Sequence, residues 1–161
     1  MRQTTTWKIS TFAGLFLLAL VTGVFWGTWF TLTRSIETFS AAEFIHIGQI
    51  IIGNVAWPMR ILMPACILFM IVSTLCVTEK NSAEFYLSVT ACLLIVIALL
   101  TTLLVEVPID NQIRTWTAET VPANWTTLRG RWEAFHTART FGSMASLGSL
   151  ILAVLSTRQE K

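Results

Sequence analysis

The chain has 161 residues, 54% of them hydrophobic and only 12% charged, with a formal net charge of +2. Soluble domains carry about 25% charged residues, so an ordinary water-soluble domain is excluded. The charge is too small, and the lysines and arginines too scattered, for nucleic acid to be a partner.

Four stretches lack Asp, Glu, Lys and Arg altogether: 9–33, 61–78, 85–105 and 140–157. Each approaches or exceeds the roughly 20 apolar residues that cross a hydrocarbon core as a helix. The apolar runs are continuous rather than alternating, which argues against a barrel. The expectation is all-α: one integral membrane domain covering 1–161, an antiparallel bundle of four transmembrane helices at about 9–33, 58–78, 84–106 and 137–157. The lipid bilayer is then its solvent.

The first window follows Arg2 and Lys8 but is too long for a cleaved signal, so it reads as a retained helix. Gly23 and Gly27 within it have the spacing of a small-residue helix contact. After Arg34 comes a long connection. Its 41–54 stretch is mostly apolar with spaced polar residues, and suits an extra amphipathic helix in the bundle mouth. Pro64 should kink the second span near its start. A tight polar turn at 78–84 leads to the third span. Pro108 should end or bend that helix. Residues 122–127 look like a turn, after which a helical pattern runs unbroken into the fourth span. That helix should project beyond the membrane.

Four spans put both termini on one side. Trp26, Trp29, Trp57, Trp116, Trp125 and Trp132 fall toward the opposite side, with both histidines and six of the nine acids. Aromatic belts normally occupy both membrane surfaces, so this concentration suggests a site built from the two long connections. Cys66, Cys76 and Cys92 lie inside apolar windows without a C-x-x-C pair and read as small buried residues. Lysine and arginine numbers on the two faces are nearly equal, and cytoplasmic termini are the adopted orientation.

Arg129, Trp132, His136 and Arg139 share one helical stripe. Charge beside lipid is costly, so the stripe should face the interior. Two Glu-x-x-His segments, Glu43 to His46 and Glu133 to His136, have the spacing used by di-iron bundles, with Glu106 and Glu37 as further carboxylates. A transition metal (iron or copper) on Glu43, His46, Glu106, Glu133 and His136 is one candidate centre. Haem between His46 and His136 is another, and a site without any cofactor is the third. No phosphate loop, dinucleotide fingerprint or nucleophile motif occurs.

The run Val-Glu-Val-Pro-Ile-Asp-Asn-Gln-Ile at 105–113, then Trp116, then Arg129-x-Arg131-Trp132-x-x-x-His136-x-x-Arg139, resembles the anthrone oxygenase-like membrane proteins, long described as a domain of unknown function (DUF1772). Asp110 stands where that family often has Asn. The resemblance implies a membrane monooxygenase that converts an anthrone-like polycyclic phenol to a quinone. It also implies that Asn111, Trp132, His136 and Arg139 carry the chemistry. A bacterial inner membrane is the expected location. His136 would act as base, Arg139 would stabilise the resulting anion, and Asn111 would donate a hydrogen bond. Trp57, Trp116, Arg129, Asp110 and Gln49 complete the expected substrate site. The ligand would be a small hydrophobic molecule, and association into a homo-oligomer is left open. A non-enzymatic metal or haem protein using His46 and His136 is the competing reading. A small transporter or assembly factor ranks third, since no internal repeat is visible.

Overall fold

A computed structural model of the chain describes residues 4–157. Among these it is all-helical: α1 (Thr5–Thr31), α2 (Ala41–Leu75), α3 (Ala83–Thr101), α4 (Val107–Ile113) and α5 (Trp125–Ser156). A 3₁₀ turn, Thr33–Thr38, follows α1, and a π turn, Thr102–Glu106, joins α3 to α4. Four helical stretches are long and apolar enough to cross a membrane: Thr5–Thr38, Ala41–Leu75, Ala83–Ile113 and Trp125–Ser156. Their outward residues, such as Phe12, Leu68, Leu93 and Leu152, are large and apolar. That is the surface lipid requires and water penalises, and it fits an integral membrane protein.

The 41–54 segment is helical as expected, but it is not a separate element. It forms the first part of the 35-residue α2, which runs through Pro58 and Pro64 without interruption. Each proline withholds one N–H and leaves the carbonyl four residues earlier without its helical partner. The helix starts on a capping box: the Ser40 side chain accepts from the Glu43 backbone, and the Glu43 carboxylate accepts from the Ser40 backbone N–H at 2.9 Å.

Pro108 does not end the third span either. The chain widens into the π turn just before it, with the Val107 N–H reaching back five residues to the Thr102 carbonyl. A π turn gives room where the proline ring would strike the carbonyl of residue 104. The loop before α5 is closed by a polar turn in which the Thr117 hydroxyl donates to Glu119 at 2.8 Å. That bond holds the Glu119 carboxyl below its ordinary range.

In the lipid-embedded layer, α3 packs on α5 and α1 on α2 most extensively, and of the neighbouring long helices α2 and α3 touch least. The core there gathers Leu18, Val21, Met63, Met70, Ile95 and Leu150. Small polar residues tie the helices: Thr11 meets Ser73 at 2.6 Å, and the Ser146 hydroxyl donates to the Ala91 carbonyl at 2.7 Å. The close helix contact falls at Gly14, where an added Cβ would lie 3.2 Å from Met70 Cγ and 3.3 Å from its backbone nitrogen. Gly23 and Gly27, expected to make such a contact, face open space. A second core above the first unites the two long connections through Ile36, Phe44, Ile52, Ile113, Trp116 and Trp132. Gln49 pins them by donating to the carbonyls of Ile113 and Trp116 at 3.1 and 3.0 Å.

Candidate active site

A cavity of about 480 Å³ opens where α1, α2, the α3–α4 segment and α5 converge. Small-molecule sites occupy roughly 300–1,000 Å³, so it has room for a compact ligand. Phe25, Val55, Met59, Met63 and Leu99 give it apolar walls, and Asp110, Asn111, Trp132, His136 and Arg139 supply polar groups.

Arg139 organises the site. It sits where α5 enters its charge-free stretch, a place where an unanswered charge is expensive. Four groups answer it. Its Nη2 lies 2.7 Å from Glu106 Oε2, and Glu106 is fully buried. Its Nη1 donates to Thr102 Oγ1 at 2.8 Å. Its Nη2 and Nε lie 2.9 and 3.3 Å from His136 Nδ1. The Phe25 ring lies 4.4 Å from Cζ, within cation–π range. Thr102 and Glu106 are the first and last residues of the π turn. The irregularity forced by Pro108 therefore sits where these two side chains meet the arginine.

This arrangement sets the state of His136. An arginine donates and does not accept, so Nδ1 must offer its lone pair. The neutral imidazole then carries its proton on Nε2. The ring is buried and stacks on Trp132, with centroids 4.8 Å apart and planes 3° from parallel. Trp132 in turn donates its indole N–H to Asp110 Oδ1 at 3.2 Å. The result is a chain from Asp110 through Trp132 and His136 to Arg139 and Glu106.

The expected residues divide clearly. Trp132, His136 and Arg139 come together, with Asp110 and Asn111 from α4 in the same cavity wall. Arg129, the fourth member of the stripe, turns instead toward the 3₁₀ turn, donating to the Glu37 carbonyl at 3.4 Å and lying over Trp125. Trp116 is buried in the upper core, and Gln49 serves the backbone. Trp57 lines a neighbouring hollow rather than this cavity.

The metal set is not assembled. Among the described residues no three His, Cys, Asp or Glu side chains gather as ligands. Glu43 is engaged by its own helix start, His46 is exposed, and Glu106 is the partner of Arg139. His46 is not in the cavity wall, so the pairing of histidines expected for haem is not formed there.

Three contacts of Arg139 were not anticipated: those to Phe25, Thr102 and Glu106. Phe25 left no signal among many apolar residues. The role of Glu106 and Thr102 was readable in principle, because an arginine at the edge of a lipid-embedded stretch needs an acid at the same depth, and Glu106 closes the third charge-free window.

Fold and site together define a membrane-embedded helical protein with a polar-based ligand cavity. The chain belongs to the anthrone oxygenase family, whose sequence profile matches residues 49–149. That stretch holds Glu106, Asp110, Asn111, Trp132, His136 and Arg139, and excludes Glu43 and His46. No curated protein and no solved structure matches the chain.

Proposed function

We propose that the protein is a membrane oxygenase that converts a hydrophobic, planar phenolic compound of the anthrone type to a quinone inside this cavity. The carrying observation is the convergence of Asp110, Trp132, His136 and Arg139 on one apolar-walled space within the family-matched stretch. An anthrone holds an acidic CH₂ group opposite its carbonyl. Removing one proton gives an extended phenolate-like anion. Dioxygen adds at the reacting carbon, and loss of water forms the second carbonyl, so one anthrone and one O₂ give one quinone and one water.

The geometry favours a different division of labour from the one expected of the sequence. With Arg139 occupying Nδ1 and the proton on Nε2, His136 is a hydrogen-bond donor rather than a base. Asp110 is the better proton acceptor: one oxygen takes the Trp132 N–H and the residue lines the cavity. Arg139, held in place by the neutral His136, then stabilises the negative charge that develops on the substrate oxygen. Trp132, held parallel to His136, offers a flat surface for the ring system.

The test is turnover by the full chain in lipid nanodiscs, given 1,8-dihydroxyanthrone and followed by quinone absorbance and oxygen uptake. Quinone should form above the protein-free rate, with one atom of labelled O₂ retained. Asp110→Asn should slow it by about 10²–10⁴-fold, the usual worth of a positioned base. Equal rates with and without protein, or an unaffected Asp110→Asn variant, would refute the assignment.

A further inference from the structure

Arg60 and Arg114 differ from Arg139 in two ways: both are exposed, and among the described residues neither is paired with a carboxylate. Arg139, at the base of the cavity, is answered by Glu106, Thr102, His136 and Phe25. Arg60 and Arg114 also line the cavity, yet among the described residues neither comes within salt-bridge distance of a carboxylate. Arg114 makes one long hydrogen bond, to the Ile52 carbonyl at 3.4 Å. Asp110 lies near enough to feel both Arg114 and Arg139, but its bond is to Trp132.

The two side chains come from different elements to one place. Arg60 immediately precedes the charge-free part of α2, and Arg114 caps α4. Both also line a second hollow of about 430 Å³, shared with Trp57, which is 63% exposed. The pair therefore stands where the cavity meets that hollow. The cavity wall carries three guanidiniums and one carboxylate, with Glu106 behind. Low-dielectric walls focus such a field and favour an anion. Guanidinium forks suit oxyanions, which they can hold with two parallel hydrogen bonds.

We propose that Arg60 and Arg114 form a carboxylate-binding subsite, so that the preferred ligand is an aromatic acid whose apolar body fills the cavity and whose acidic group faces the mouth. The proposal takes the flat aromatic body from the oxygenase reading. The acidic group rests on the arginine pair alone. A phospholipid headgroup is the other oxyanion available at this depth, and the experiment separates the two sources.

The probes are anthraquinone-2-carboxylate and its uncharged carboxamide, which have the same ring system and need no turnover. Binding to the full chain is read by tryptophan quenching in phosphatidylcholine nanodiscs and again in phosphatidylglycerol nanodiscs. The carboxylate should bind at least about tenfold more tightly than the carboxamide, the effect of one charge-assisted hydrogen bond. The preference should vanish in Arg60→Gln/Arg114→Gln and survive in Arg60→Lys/Arg114→Lys, which also controls for folding. Equal binding of both probes, binding of neither, or a preference that persists in the glutamine variant would overturn the proposal. So would a carboxylate preference that phosphatidylglycerol abolishes, since that would give the arginines to lipid phosphate. Carboxylate preference without anthrone oxidation would sink the oxygenase reading and leave this one standing; oxidation that is blind to the carboxylate would do the reverse.

Discussion

Replacing Glu106 by glutamine tests the architecture of the site directly. The side chain is fully buried and its Oε2 lies 2.7 Å from Arg139, which is itself only 10% exposed. The substitution keeps the shape and removes the charge, leaving a guanidinium in a low-dielectric place without its counter-ion. Breaking a buried pair in this way typically costs about 3–5 kcal/mol. Arg139 would keep Thr102, His136 and the Phe25 face, so a loss near 3 kcal/mol is expected. Arg139→Met in the same background should recover part of that loss, because the stranded charge is then gone. A double-mutant cycle should report about 1–3 kcal/mol of coupling. The assay is unfolding in mixed micelles of increasing SDS content, followed by tryptophan fluorescence. If Glu106→Gln unfolds with the parent, or if the double variant is simply additive, the ion pair is not what holds Arg139 in the membrane.

Two further substitutions probe the scaffold. Gly14→Ala places a methyl against Met70, including its backbone nitrogen at 3.3 Å, and should destabilise by about 1–3 kcal/mol, whereas Gly23→Ala meets nothing and should stabilise by up to about 1 kcal/mol. The same micelle titration ranks them, and the opposite order would refute the placement of the α1–α2 contact. Pro108→Ala removes the reason for the π turn; Thr102 and Glu106 would then rotate away from Arg139, and turnover should fall by roughly 100-fold, as misplaced catalytic groups do, while the fold persists. Unchanged turnover would show that the π turn does not position the site.

Much of the fold could be read from charge alone. The charge-free windows mark the spans because lipid tolerates little else, and each falls wholly or almost wholly within a long apolar helix. The details that escaped reading depend on tertiary context. The 41–54 helix was expected to stand apart from the second span, yet α2 runs from it through Pro58 and Pro64 as one element, since a neighbouring helix and the bilayer supply the packing that a lone helix would lack. The Gly23/Gly27 spacing matched a packing motif, but spacing fixes only which residues share a face. What that face meets is decided by helix rotation, and here the contact went to Gly14.

The site divides along the same physical line. Trp132, His136 and Arg139 were legible because one helix fixes their relative directions. The Glu-x-x-His pairs offered the same local regularity, but a metal centre needs both to face one point, and the capping box at Ser40 had already claimed Glu43. What decides the chemistry lies between elements. Arg139 meets His136 Nδ1 as a neighbour on its own helix, and the widened turn before Pro108 brings Thr102 and Glu106 to its other side. The tautomer follows from the contact with His136, and it is why the proposed mechanism gives the base role to Asp110 rather than to the histidine, the obvious candidate in a sequence. A motif can thus name residues that meet in one cavity while leaving their protonation open, because that is set by partners that no spacing rule reveals.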